Sequence, residues 1–549
     1  MKVCLIIPYY LDKNRHRRNE INECLFEKNL KNKSISRVIA VCDTEIKLPY
    51  DKKLTVINIG RRQKYDDLFR IAESINPEGL NIIANADIFF KKDDIEKLKK
   101  IDYTNTVVSL SRWDVLKSGK SVHHSHKDSQ DCWIFKGKIN VNGNFELGKA
   151  GCDNRIAYEI GLNYNIVNPS IDIKSYHLHS SNIRNYKSKD AIPPPYLRVP
   201  CCYYSDKKIK KVLHIALPGQ PELSSMLKSF GEYVYIDWSE ELRKTDIVKI
   251  QEKIIKISNR FNPDFTFMQI QTADIITPVV ASQLKGFVMN WSGDVREDIS
   301  WMSNLAPYVD ATCLSNETDT EYLRREGVGS WFFQIGFEHK IFNPNGPKLT
   351  TKNTIWDHPE VVFMANNYGN KFPLSKERRD IAKKLYDTYG PKFLLCGNGW
   401  EIPAINLMNQ PKKEAMVYRS CKIAINSNHF IHKRFSSDRI FRIMGSGAFC
   451  LTRWYPGIEK DFIDGVHLRT FKDEDEMVYL INHYLKNEAE RIQITEQGCK
   501  LVQDNFRWAS SKRIIEQIAS FPQKKEKMKD KFALTPLTNK EWLEYLNEK

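Results

Sequence analysis

Short apolar runs rich in β-branched residues recur along almost the whole chain, each followed by an amphipathic stretch of helical period. That alternation restricts the chain to layered α/β architectures. The runs fall into three series. Residues 3–10 (VCLIIPYY), 36–44, 53–60 and 79–90 (GLNIIANADIFF) make the first, with helical patterns at 20–29 and Tyr65–Ile75. Residues 210–219, 232–239, 263–271, 285–294 and 309–316 make the second, and 359–367, 391–399, 421–428 and 447–454 the third. A proline-rich stretch at 192–202 and a turn-rich one at 343–353 separate the series. With 549 residues the chain exceeds what one core supports. The expected units are therefore 1–195, 205–348, 354–522 and a charged tail at 523–549 that ends in a short amphipathic WLEYL segment.

Composition narrows the function classes. At 41% hydrophobic and 28% charged residues, wholesale disorder is excluded. Lys and Arg exceed Asp and Glu by 84 to 68, a net +16 that attracts anions such as nucleotides, acidic glycans or lipid headgroups. The basic residues are dispersed and no recognition helix, zinc or RNA-binding motif is present, which disfavours nucleic acid as a partner. Twelve cysteines without a C-x-x-C pair read as free thiols. The first apolar run has a strand's length and no cleavage site, and no run approaches the ~18 residues of a membrane span. A cytoplasmic protein is expected, with membrane contact at most peripheral.

Several residue groups carry chemistry. Asn85-Ala86-Asp87 follows a buried strand, where a carboxylate can hold a divalent ion that carries phosphates. His177-Leu178-His179, after an extended run at 169–176, sets two imidazoles on one side of the chain. In 148–159 (GKAGCDNRIAYE) a glycine turn runs into a helix with Asp153 at its N-cap. Asp131 precedes Trp133, which either stacks on a sugar or fills the core. His123, His124 and His126 lack helical metal spacing and read as a mobile loop.

This series resembles the GT-A glycosyltransferases, with Asn85 where the family's D-x-D motif has its first Asp. The resemblance implies Mn²⁺ or Mg²⁺ on Asp87, His177 and His179. It implies that Asp153 deprotonates an acceptor hydroxyl, with Asp131 the second choice. It directs Asp43 to the base and Arg61, Arg62, Tyr65 and Asn85 to the rest of a nucleotide-sugar.

In 436–465, Ser437-Asp438-Arg439 stands before a helix, so that backbone N–H groups and a guanidinium face an anion. Gly445-Ser446-Gly447 then releases the chain into a strand, and Pro456-Gly457 turns it. Residues 205–520 resemble the GT-B glycosyltransferases, most of all the CgeB-like group, with Arg442 where group-1 enzymes carry a Glu. The resemblance implies a donor site formed by Asn366, Gly397, Asn398, Asn426, Lys433, Arg434, Ser437, Asp438 and Arg439. Asp294 is the acidic candidate across the cleft.

The fold class expected is α/β, a GT-A-like single Rossmann-type domain followed by a GT-B double Rossmann-like module. The function expected is a bifunctional glycosyltransferase that moves sugars from nucleotide-sugar donors to a glycan or lipid-linked glycan, such as a surface polysaccharide. Two alternatives stand beside it: one catalytic module with the other as scaffold, and transfer onto modified nucleic acid.

Overall fold

In the computed structural model, residues 1–179, 190–270, 274–349, 359–407, 409–523 and 525 are described. The WLEYL segment and most of 523–549 lie outside the described residues, as does part of 343–353. Four sheets organise the described residues. The first series supplies β1 (Val3–Tyr9), β2 (Arg37–Cys42), β3 (Leu54–Asn58), β4 (Leu80–Ala84), β5 (Ile88–Phe89), β6 (Thr106–Leu110), β7 (Arg112–Val115), β8 (Ser121–His123), β9 (Cys132–Lys136), β10 (Asn165–Val167) and β11 (Ser175–His177). Seven of them pair in the order β10-β6-β9-β4-β1-β2-β3, and a small sheet runs β5-β11-β7-β8.

In the large sheet only β9 is antiparallel to its neighbours. Strands β1, β2 and β4 are almost wholly buried. They are covered on both faces, which is why they read as continuous apolar runs.

The second series forms β12 (Lys211–Ala216), β13 (Glu232–Asp237), β14 (Phe265–Met268), β15 (Phe287–Ser292), β16 (Ala311–Leu314) and β17 (Ser330–Phe332), all parallel in the order β13-β12-β14-β15-β16-β17. The third forms β18 (Val361–Met364), β19 (Phe393–Cys396), β20 (Ile423–Asn426), β21 (Phe449–Arg453) and β22 (Arg469–Phe471), all parallel in the order β19-β18-β20-β21-β22. In each sheet the strand order reverses beside the first strand, and such a switch point opens a crevice at the strand C-termini.

The connecting helices follow ordinary rules. Ile247–Phe261 starts at Asp246, whose carboxylate accepts from the Lys249 N–H at 2.9 Å, and ends on Asn262 in the left-handed region. Its buried Ile250, Ile254 and Ser258 recur every fourth residue and face the sheet. Burying a side chain such as Ile254 contributes about 1.5–3 kcal/mol, so Ile254→Asp would break this contact.

The units share a core. Trp508, Ile515, Ile518 and Phe521 join one buried cluster with Val3 and Leu5 of β1 and Val212 of β12. The Trp508 ring meets Trp291 edge-on at 5.5 Å, and Phe521 stacks on Trp331 at 6.2 Å. Arg513 reaches Asp102 at 2.9 Å, and the Gln517 amide donates to the Asp102 and Thr104 carbonyls. The stretch 508–521 was grouped in the sequence with the 354–522 half. It packs instead between the first unit and the 205–348 half. No helix among the described residues is long and apolar enough to cross a membrane.

Candidate active sites

The first site lies at the switch point between β1 and β4. Asp87 follows β4, pairing of Ala84 with Cys132 brings Asp131 alongside Asn85, and β11 delivers His177 and His179. The Asn85 amide donates to Asp131 at 2.8 Å, and the Asp131 carboxylate also lies 3.4 Å from Arg112. Asp87 is buried. Its Oδ2 lies 3.0 Å from His177 Nε2 and 3.8 Å from His179 Nδ1, and Arg17 Nη2 touches it as well. Burial opposes ionisation of Asp87, but His177 and Arg17 hold its carboxyl well below the usual range.

His177 Nδ1 meets Asp114 at 2.8 Å. Burial alone would lower the His177 pKa, yet Asp87 and Asp114 raise it to about 9. Ligand atoms of Asp87, His177 and His179 lie within 4.8 Å of one another, and His179 Nε2 is buried without a hydrogen-bond partner among the described residues. A carboxylate with two imidazoles, one backed by a second carboxylate, is a donor set that suits Mn²⁺.

Asp153 stands at the same sheet edge, in the first turn of the helix Cys152–Gly161. Its N-cap is Gly151 at φ 77°, not Asp153 as the sequence suggested, because the turn needs a left-handed residue there. Tyr65 Oη donates to Asp153 at 3.3 Å and Cys152 Sγ at 3.4 Å. Burial and the charge of Asp131 push the Asp153 pKa up to about 7.

The remaining first-site candidates divide. Asp43 follows β2 and is partly exposed at the strand end. Arg61 closes its fork on Asp67 with two bonds of 2.8 Å, and Arg62 donates to the Leu147 and Gly148 carbonyls at 3.0 Å. Both arginines thus hold the protein's own loops.

Trp133 is 2% exposed and fills the core, the second of its two readings. Two expectations are corrected. His123 lies in β8, stacked on Trp113 and bonded to Ser170, so it is no loose loop. Of the extended run expected at 169–176, residues 169–174 form a turn and only Ser175 and Tyr176 are extended, as the start of β11. Arg17, Arg112 and Asp114 went unread, and only the basic run at 15–18 gave a sign of the first.

The second site lies where β18 and β20 end. Asn426 is fully buried; its amide donates to Thr452, and its Oδ1 accepts from Ser437 Oγ at 3.0 Å and Arg439 Nε at 3.2 Å. Arg439 also donates to the Ser427 carbonyl at 2.8 Å. Ser437 occupies the N-cap position of Asp438–Gly445 but makes no side-chain cap bond, since its hydroxyl is turned to Asn426. The helix N–H groups there are left without a side-chain cap.

Asn366 Oδ1 accepts from the Asn398 N–H at 2.9 Å, and Gly397 lies against the Ala365 carbonyl. Arg442 is held by Asp438 and by Glu414, the latter at 3.1 Å. Asp294 reaches solvent in the cleft. The surrounding protein and the charge of Asp438 push its carboxyl up, while Arg296 pulls it back.

Lys433 and Arg434 do not stand free for a donor. Lys433 pairs with Glu317 and Glu321, while Arg434 pairs with Glu317 at 3.2 Å and Asp461 at 2.7 Å. Lys460 joins on Glu317 at 2.8 Å. Glu317 belongs to the 205–348 half, so this network fastens one half to the other.

A residue that sequence reasoning missed lies beside Arg439. Arg378, on the helix Ser375–Tyr389, is 2% exposed and contacts His429, yet its Nε and Nη2 have no partner among the described residues. Burial and the Arg439 charge work against the Arg378 guanidinium. Burial and both arginines push the His429 pKa down to about 3. An arginine stays charged in a protein, so this corner is positive.

Comparisons with known proteins bear on this half. Residues 377–518 match the family model described as Glycosyl transferase-like, which spans the Arg378–Arg439 corner. By that domain the chain is a transferase enzyme, a glycosyltransferase. No curated protein matches it in sequence.

Among solved structures, a glycosyltransferase from Rickettsia africae is similar at 11% identity and a TM-score of 0.43, over 56% of this chain and 98% of its own. Anabaena HepE, solved with UDP and glucose, gives 11% and 0.42 over 57% and 99%. Sucrose-phosphate synthase from Thermosynechococcus elongatus gives 11% and 0.40 over 56% and 98%.

Proposed function

We propose that the chain is a bifunctional glycosyltransferase with a GT-A-like site at the end of β4 and a GT-B-like site at the ends of β18 and β20. Each moves a sugar from a nucleotide-sugar donor to a glycan or lipid-linked glycan acceptor. The observation that carries this reading is the presence of two separate strand-end sites: a carboxylate–imidazole group with Asp153 at one, and a buried, positive Arg378–Arg439 corner within the glycosyl transferase-like domain at the other.

At the first site Asp153 takes the proton from the acceptor hydroxyl as its oxygen bonds to the anomeric carbon. Tyr65 and Cys152 hold that carboxylate in place. Asp87, His177 and His179 would hold a Mn²⁺ or Mg²⁺ ion, whose chemistry is to neutralise the departing diphosphate. At the second site the diphosphate would meet Arg378, Arg439 and the uncapped N–H groups of Asp438–Gly445. Lys433 and Arg434 act there as a clasp between halves rather than as donor ligands.

Titration of the full chain with nucleoside diphosphates tests the pairing of sites. Two classes of binding site are expected. Arg378→Ala weakens one class at least tenfold, about 1.4 kcal/mol, and Asp87→Ala weakens the other. A single class of sites, lost in one variant and untouched in the other, contradicts bifunctionality.

A further inference from the structure

The helix Arg15–Asn22 follows β1 and is capped by Asn14, whose side chain accepts from the Arg17 N–H at 3.1 Å. It sets Arg17 across the switch point from Asp87. The two side chains are 8% and 6% exposed, and Arg17 Nη2 rests on the same Asp87 Oδ2 that faces His177 Nε2 and His179 Nδ1.

A divalent ion on that oxygen needs a contact of about 2.0–2.6 Å. A guanidinium cannot keep its place beside it, because the ion would occupy the space on Oδ2 that Arg17 Nη2 now fills, and its double charge repels a guanidinium at that range. The neighbourhood offers the guanidinium somewhere else to go. Glu20 Oε2, itself buried, lies 3.4 Å from Arg17 Nη1, and the Leu178 carbonyl lies 3.4 Å from it as well. Moving Arg17 off Asp87 therefore does not strand a buried charge.

We propose that Arg17 is the resident cation of the Asp87 site: it neutralises that carboxylate when no divalent ion is bound and competes with the ion for it. The proposal rests on the reading of Asp87, His177 and His179 as the ligand set. On it, the site never holds a bare buried carboxylate, and its affinity for a metal is set partly by how readily Arg17 lets go.

The test is Mn²⁺ binding by the full chain without donor, read from the loss of the free-ion paramagnetic resonance signal. Arg17→Gln removes the competing charge and is expected to bind Mn²⁺ at least tenfold more tightly than the wild type. Arg17→Met, apolar and of similar length, is expected to do the same and serves if the amide variant does not fold. Asp87→Asn is expected to abolish binding. If Asp87→Asn loses Mn²⁺ while folded Arg17 variants bind no more tightly than the wild type, the ligand set stands and the resident-cation proposal falls. If Asp87→Asn leaves Mn²⁺ binding unchanged, the ligand set falls and the competition falls with it.

Discussion

Asp153 stands in a costly position for a carboxylate. Burial and the neighbouring Asp131 keep it protonated up to about pH 7, far above an ordinary carboxyl. First-site turnover is therefore expected to rise with pH through about 7, as the base becomes ionised. Stability should move the other way. Between the unfolded carboxyl's pKa near 4 and about 7, the folded chain binds more protons than the unfolded chain, so stability falls as pH rises through that window. Asp153→Asn removes the charge and is expected to lose turnover while raising the melting temperature at pH 8 by roughly 2–4 °C, with no gain at pH 3, where both forms are neutral. Calorimetry at the two pH values, beside an activity assay, checks both halves. A variant that keeps turnover, or one that melts lower at pH 8, removes Asp153 from the role of base.

Strand ends decide which residues meet, and glycine permits the closest approaches. Gly397 has φ 134°, and a Cβ there would lie 1.9 Å from the Ala365 carbonyl oxygen. Gly369 also has a positive φ, at 64°, but opens onto empty space. Gly397→Ala is expected to cost clearly more than 1 kcal/mol and more than Gly369→Ala, measured by urea denaturation. Equal costs would mean that the β18–β19 ends yield easily.

The same scale explains what could be read in advance. Long, doubly covered strands such as β1, β4, β12 and β15 announce themselves as apolar runs. Strands β7, β8, β10, β17 and β22 have three or four residues and lie outside those apolar runs, so tertiary pairing defines them. The positions of Asp87 after a strand and Asp153 in the first turn of a helix were legible because local patterns flank them. Arg17 and Arg378 were not, because each meets its partners only after distant strands pair. The roles of Lys433 and Arg434 were misjudged for the same reason: their carboxylate partners Glu317 and Glu321 lie more than a hundred residues away.

At the scale of the whole molecule, the returning stretch 508–521 makes the first unit and the 205–348 half parts of one buried cluster. Cutting the chain near residue 200 would expose Trp508, Ile515 and Phe521, so the two chemistries have to be separated by point substitution in the intact protein. The central claim is that one chain carries two independent glycosyl-transfer sites. Its most direct measurement is analysis of the linkages formed by the full chain from a panel of nucleotide-sugars and an acceptor glycan, with Asp153→Asn and Arg378→Ala alone and together. Two products in sequence are expected from the wild type, with loss of a different linkage in each single variant and neither linkage in the double variant. A single linkage made by the wild type and abolished by only one of the two substitutions would contradict it.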